Sequence, residues 1–400
     1  MKSGDHPQTD ILFVIPSLEV GGTELHLASI SGALAARGWN VAVYGAAGGP
    51  VAQLLEAGKV RLILPPRAHR LLGGLPGSGA YGSTVIAVHL LGVLLRHRPL
   101  IVHFFLPAAY LIGAPLAIAA RIKLRVMSRR SLNRYQNKSR LVAPLERRLH
   151  RWMTAILGNS RSVVNELEAE GAAAGQLGLI YNGLDTAQIT TASREQTRAL
   201  LGIPEATLVF VIVANLIPYK GHLDLVEALG RLAGRMPDDW KLLMVGRDDG
   251  AGAAIKALAV SRGIAEKLVY LGSRNDVAAL LMASDIGLLA SHQEGFSNAV
   301  IECMYAGLPM IVTDVGGNAE AVVDGETGIV VPPHDPVSFG EAIVRLATDP
   351  ALRLSHGAAG RRRVEARFSL DSCVSRYEAL YRGLLAGRSP RNIPEIQDYG

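Results

Sequence analysis

The chain has 400 residues, 49% hydrophobic and 19% charged, with 43 glycines, two cysteines and a formal net charge of +6. That length exceeds one ordinary hydrophobic core, and the apolar content excludes an intrinsically disordered chain. Two cysteines, Cys303 and Cys373, are too few for a disulfide framework, so a reducing, cytoplasmic setting is the expectation.

The polar start, Met1–Asp10, reads as no signal peptide. Ile11–Pro16 predicts a first strand and Gly22–Arg37 a helix closed by Gly38. Asn40–Gly45 and Val60–Leu64 predict strands, and Ser83–Arg98 an amphipathic helix. The uncharged run Leu100–Ala120 reaches the length of a membrane span. Gly113 and Pro115 would interrupt such a span, and buried parallel strands are equally apolar. A strand Leu100–Phe105 followed by a helix opening at Pro107 is therefore preferred. Short strands follow at Leu124–Ser128, Ala155–Asn159 and Gly178–Tyr181, with a basic helix from about Lys138 to Trp152. Asp185–Glu205 suits a loose linker. The pattern then restarts with strands Leu208–Ala214, Lys241–Val245, Leu268–Leu271, Ile286–Ala290 and Met310–Thr313, each trailed by a helix-like segment. Alternation of this kind predicts parallel βαβ units in two domains, 1–185 and 186–368, with a last helix near 369–387 and a frayed tail.

Charge is unevenly divided. Residues 1–185 hold 20 Lys/Arg against 10 Asp/Glu, net +10; the rest hold 21 against 25, net −4, and the two sum to +6. No acid lies between Ala57 and Leu145, a stretch carrying Arg61, Arg67, Arg70, Arg96, Arg98, Arg121, Lys123, Arg125, Arg129, Arg130, Arg134, Lys138 and Arg140. A block of one sign predicts an anionic partner, such as a lipid diphosphate or a phospholipid surface. Few aromatics accompany it, which argues against nucleic acid.

Four motifs carry chemistry. Gly21-Gly22-Thr23-Glu24 follows the first strand and opens a helix, whose free N–H groups suit an anion. It lacks the G-x-G-x-x-G spacing of nicotinamide sites. Pro218-Tyr219-Lys220-Gly221-His222 places a lysine after strand Leu208–Ala214, a point charge suited to a diphosphate. Glu294-Gly295-Phe296-Ser297-Asn298-Ala299-Val300-Ile301-Glu302 sets Ser297 as a helix N-cap, with Glu294 just before that helix and Glu302 in its second turn. Carboxylates so placed can accept hydrogen bonds from vicinal sugar hydroxyls. Two such residues close in sequence seldom flank a sugar as a glycosidase pair does. Asp314-Val315-Gly316-Gly317-Asn318-Ala319-Glu320 is a further Gly-rich turn. Asp248-Asp249 in a Gly-rich turn reads as solvated rather than metal-binding.

Together these motifs, with Tyr181-Asn182-Gly183-Leu184-Asp185, resemble the retaining glycosyltransferases of family four, and the resemblance covers nearly the whole chain. It implies the α/β GT-B fold, two Rossmann-like domains facing across a cleft. Glu294 would contact the donor sugar and Glu302 the ribose. Lys220 and the backbone at Gly22, Phe296, Ser297 and Asn298 would hold the diphosphate, with Gly21 and Gly295 also in the donor-binding set. Gly246, Asn215 and Arg274 complete the implied donor set. Asn215 stands where relatives often have an arginine, and Arg274 or Arg247 is a candidate substitute. His103 remains of a His-x-His strand end whose second place is Phe105; it is assigned, with Lys220 and Glu294, to the reacting centre. His103, Arg129, Arg130 and Asn133 form the expected acceptor set.

The implied reaction moves a sugar from a UDP- or GDP-sugar to a hydroxyl of a glycan or lipid-linked acceptor, in envelope polysaccharide or glycolipid synthesis. It requires no cofactor or metal, and an anionic membrane surface is a candidate partner. The alternative reading is an inactive GT-B scaffold that binds nucleotide-sugar or membrane.

Overall fold

A computed structural model describes residues 9–66, 78–133, 136, 142–186 and 193–397. The chain forms two compact units, one of residues up to Gly183 together with those from Leu370 on, the other Leu184–Ser369.

In the first unit the order is β1 (Ile11–Ile15), α1 (Gly22–Ala36), β2 (Val41–Gly45), α2 (Val51–Ala57), β3 (Arg61–Ile63), α3 (Ser78–His97), β4 (Ile101–Phe105), α4 (Pro107–Ala119), β5 (Leu124–Arg129), α5 (Val142–His150), β6 (Ala155–Gly158), α6 (Arg161–Ala169) and β7 (Leu177–Leu179). The second unit contains α7 (Arg194–Leu200), β8 (Leu208–Val213), α8 (His222–Gly230), β9 (Trp240–Val245), α9 (Gly252–Ser261), β10 (Leu268–Gly272), α10 (Val277–Met282), β11 (Ile286–Leu289), α11 (Asn298–Tyr305), β12 (Met310–Thr313), α12 (Asn318–Ala321), β13 (Gly328–Val331), α13 (Pro336–Thr348) and α14 (Pro350–Arg367). The chain then returns to the first unit as α15 (Leu370–Leu385).

Both sheets are parallel, and each has the order of a doubly wound fold: β3-β2-β1-β4-β5-β6-β7 and β10-β9-β8-β11-β12-β13. Helices cover both faces, so central strands are apolar on both sides; every residue of β1, β2 and β4 is buried. The first core joins Phe13, Val43 and Phe105 to Tyr377 and Tyr381 of α15. Burial of each such phenylalanine contributes about 1.5–3 kcal/mol.

The uncharged run 100–120 divides into β4 and α4, and among the described residues no helix is long and apolar enough to cross a membrane. Two expectations fail: the tail after Gly387 is packed rather than frayed, with Ile393 and Ile396 buried in the first core, and the stretch 185–205 contains α7. Ser193 Oγ accepts the Gln196 N–H at 3.3 Å, and buried Arg198 donates to the carbonyls of Ala283, Pro204, Glu205 and Thr207 and to Asp285. A capped turn tied by one arginine to five acceptors is a packed element, not a loose linker. The basic helix expected from Lys138 is seen from Val142; Arg67, Arg70, Arg134, Lys138 and Arg140 lie outside the described residues.

Candidate active site

In an open doubly wound sheet, ligands bind beyond the carboxyl ends of the strands where the strand order reverses. In the second unit that point lies between β8 and β11. The loop after β8 carries Asn215 to Gly221, and the loop after β11 carries Ser291 to Ser297.

Two glycines bring these loops close. Gly221 has φ +70°, and a Cβ there would stand 1.8 Å from the Ala290 carbonyl oxygen. The β8 loop therefore lies directly on the end of β11. Gly316 has φ +55°, and a Cβ would stand 1.9 Å from the Glu294 carbonyl oxygen. Beside it, the Gly317 N–H donates to the Gly295 carbonyl at 2.7 Å. Only glycine allows this approach without strain.

The result is a charge pair at the switch point. Lys220 Nζ donates to Glu294 Oε1 at 2.5 Å, and Ser291 Oγ donates to the same oxygen at 2.8 Å. The lysine side chain is 18% exposed and the glutamate 10%, so the pair is sheltered yet reachable. Ser291 is absent from the sequence expectations; its place three residues before Glu294 is the only signal that marks it.

Ser297 is the N-cap residue of α11, but its hydroxyl makes no capping hydrogen bond. Ser297 thus does not cap the first turn, and a helix start of this kind suits an anion. Phe296 anchors the approach, buried with its ring 5.2 Å from Phe368. In the second turn, the Glu302 carboxyl has no hydrogen-bond or ion-pair partner among the described residues, and burial raises its pKa above the ordinary range. A carboxyl desolvated in this way is a candidate ligand contact.

Asn215 acts as a loop clasp. Its Oδ1 accepts the Arg247 N–H at 3.1 Å and its Nδ2 donates to Asp249 Oδ2 at 3.0 Å. Arg247 is exposed and pairs with Asp249 at 2.6 Å. Arg274 likewise pairs with Asp276 at 2.6 Å, but at the end of β10, one strand further out. Of the two, Arg247 is the one beside Asn215. Exposed pairs of this kind exchange at little cost, so either guanidinium can turn to another anion. Gly246, at the end of β9, donates its N–H to the Gly272 carbonyl. Asp248 accepts the N–H groups of Gly250 and Gly252 at 3.0 Å, which makes it a turn and helix cap.

In the first unit, Gly21 is the N-cap residue of α1 and Gly22 its first member. The acceptor set expected from sequence divides. Arg129 is buried and paired with Glu146 at 2.6 Å and with Glu170 at 2.7 Å. Asn133 turns inward too, its N–H on Glu166 and its Nδ2 on Glu170. His103 is fully buried, hydrogen-bonded to Tyr381 OH and Ser128 Oγ, both at 2.7 Å. Burial, reinforced by Arg130, holds its imidazole well below the ordinary value and therefore neutral. Arg129, Asn133 and His103 are thus each engaged by partners within the first unit. Arg130 remains: it is half-buried, with Nη2 on Asn182 Oδ1 at 2.5 Å and its guanidinium over the Phe105 ring. It also lowers the pKa of Glu24 in the first turn of α1, against a larger upward push from burial. Next to β1 and β2 lies an apolar cavity of about 160 Å³, lined by residues that include Ile15, Tyr44, Ile86, Leu90 and Ile112.

Residues 193–363 match the family model of glycosyl transferases group 1, and residues 20–188 that of Glycosyltransferase Family 4. A D-inositol 3-phosphate glycosyltransferase of Corynebacterium diphtheriae is 33% identical over 198 residues, 48% of this chain and 46% of the relative. An N-acetyl-alpha-D-glucosaminyl L-malate synthase of Bacillus anthracis is 29% identical over 226 residues, 56% of this chain and 58% of the relative. The chain spans about half the length of the curated relatives it matches. Among solved structures, Anabaena HepE in complex with UDP and glucose superposes with a TM-score of 0.82 at 21% identity, over 94% of this chain and 100% of that one. Sucrose-phosphate synthase of Thermosynechococcus elongatus gives 0.79 at 21% identity, over 95% and 100%. Both units carry glycosyltransferase-family domains, and the fold is GT-B.

Proposed function

From these two glycosyltransferase domains, we propose that the chain moves a sugar from a UDP- or GDP-sugar to a hydroxyl of a glycan or lipid-linked acceptor, with retention of anomeric configuration. The observation that carries this reading is the Lys220–Glu294 contact at the β8/β11 switch point. A cation and a carboxylate in one small site match the two ends of a nucleotide-sugar, diphosphate and hydroxyls. HepE, in complex with UDP and glucose, supplies a precedent of the same fold.

In this reading Lys220 and the N-terminal turn of α11 take the diphosphate and stabilise the charge that grows as the anomeric C–O bond breaks. Glu294 accepts hydrogen bonds from the donor sugar, and Glu302 from the ribose. The acceptor oxygen bonds to the anomeric carbon on the face the diphosphate leaves. Its proton passes to a phosphate oxygen of the leaving group, so no side-chain base is required, in keeping with a neutral, enclosed His103.

The first unit is assigned the acceptor. Its apolar cavity suits the hydrocarbon part of a lipid-linked sugar, and Arg130 suits a phosphate. At α5, Arg147, Arg148, Arg151, Leu145 and Trp152 are all exposed, a basic surface with apolar members that suits an anionic bilayer. Flotation with anionic and with neutral vesicles tests that half; equal absence from both at moderate salt rejects it.

The reaction is tested by a panel of UDP-, GDP- and ADP-sugars, reading thermal stabilisation and slow donor hydrolysis. One donor that stabilises the native chain but not Lys220→Ala or Glu294→Ala supports the reading. Silence toward every donor and every free nucleoside diphosphate moves it to the inactive scaffold.

A further inference from the structure

A second constellation lies beside the first, and none of its residues has a role in the proposed transfer. Asp224 sits in the first turn of α8, His292 in the loop after β11, and His334 in the loop between β13 and α13. His292 Nε2 lies 2.7 Å from Asp224 Oδ2, and His334 Nδ1 lies 3.9 Å from the same oxygen. The imidazole centroids are 3.8 Å apart, and one donor atom from each of the three residues falls within 4.8 Å of the others. We infer that Asp224, His292 and His334 form a binding site for a divalent transition-metal cation of the Zn²⁺ class.

The donor chemistry selects the ion. Two imidazoles with one carboxylate suit Zn²⁺ and its neighbours, whereas Mg²⁺ and Ca²⁺ take oxygen ligands. Zinc–ligand bonds of about 2.0–2.2 Å in a tetrahedron set donors roughly 3.3–3.6 Å apart. The observed 2.7 and 3.9 Å bracket that spacing, so small side-chain rotations complete the set. Three protein ligands leave the fourth position for water or an anion.

The ligands are held by firm elements. Asp335, next to His334, caps α13 through the N–H groups of Val337 and Ser338. His334 itself has φ +59°, a conformation disfavoured for a residue with a side chain and one that glycine would adopt freely. The His292 N–H donates to the Tyr219 carbonyl at 2.8 Å. A cation here would therefore tie the start of α8, which follows the loop that carries Lys220, to the loop that carries Glu294, from a position outside the Lys220–Glu294 contact.

The test is direct binding on the full chain after chelator treatment, with no sugar donor present, so its outcome is separate from that of the transfer reaction. Zn²⁺ is titrated in competition with a chromophoric chelator, and Co²⁺ is added in parallel to read its visible ligand-field bands. The expected result is one equivalent bound, with affinity lowered about tenfold or more in Asp224→Asn and in His334→Ala, and the tetrahedral Co²⁺ bands lost in the His292→Ala/His334→Ala double variant. Circular dichroism of the metal-free variants verifies that each folds. Zn²⁺ uptake by the native chain that equals that of the folded double variant overturns the inference.

Discussion

Lys220 and Glu294 meet through Nζ and Oε1 at 2.5 Å, and Ser291 reaches the same carboxylate oxygen at 2.8 Å. The two partners have different tasks in the proposed reaction, so their removal should fail differently. Lys220→Ala should weaken binding of the free nucleoside diphosphate about tenfold and lower kcat by about 10²–10³. Glu294→Ala should leave diphosphate affinity within about threefold while transfer falls by a similar factor, because its contacts are to the sugar. Calorimetric Kd values for UDP and GDP, beside turnover, separate the two. Equal loss of diphosphate affinity in both variants rejects this division.

Glu302 should trade stability for binding. Its folded-state pKa is raised by burial above the ordinary value of about 4.5. A raised carboxyl favours the folded state at low pH, and that advantage is lost as pH rises through the folded-state pKa. At pH 7 the ionised form is strained by desolvation, so Glu302→Gln should raise Tm, by about 2–4 °C for each kcal/mol relieved. The gain should vanish near pH 4. The same variant should bind nucleotide more weakly, since the carboxylate's acceptor capacity for ribose is reduced. A Tm lower than native at pH 7 contradicts this.

The Arg129 network makes the opposite pH prediction. Burial would raise the Glu170 carboxyl, but hydrogen bonds from His150, Arg129 and Asn133 hold it at about 2. A depressed carboxyl stabilises the fold above its unfolded pKa, and the benefit is lost as pH falls from about 4.5 toward 2. Glu170→Gln leaves Arg129 buried with Glu146 as its remaining carboxylate and should cost about 3 kcal/mol at pH 7. Urea titrations at pH 7 and at pH 3 check this: the difference should shrink at the lower pH.

Gly316→Ala should act at a distance from any ligand. The added methyl would stand against the Glu294 carbonyl at a positive φ, so the loop must move. About 1–3 kcal/mol of stability should be lost. Donor turnover at a temperature well below Tm should fall too, because Glu294 shifts. Gly325→Ala, at a similar φ but with nothing near its Cβ, is the control: it should lose stability and keep turnover.

The second unit was the more legible in sequence because its chemistry is local. Lys220, Ser297 and Glu294 stand at strand-to-helix junctions, and Glu302 follows one helical turn later. The first unit hid its assignments in tertiary pairing. Arg129 reads as a cleft arginine until Glu170, 41 residues on, is seen to neutralise it. His103 reads as a strand-end ligand until α15 closes over it. The α7 helix was missed because Ser193 and Gln196 are an ordinary-looking pair, and the arginine that ties the helix down finds its acceptors as far away as Asp285. The Asp224–His292–His334 cluster draws on one helix and two loops and has no spacing to read.

The placement of α15 governs how this protein can be made. His103 is bonded to Tyr381, 278 residues later. At ribosomal speeds of 5–20 residues per second, that partner emerges about 15–55 s after the histidine. The second unit, which is continuous in sequence, can mature while the first still waits with an open core. Any message cut short before Tyr381 therefore yields a complete second unit attached to a first unit whose core is unfinished.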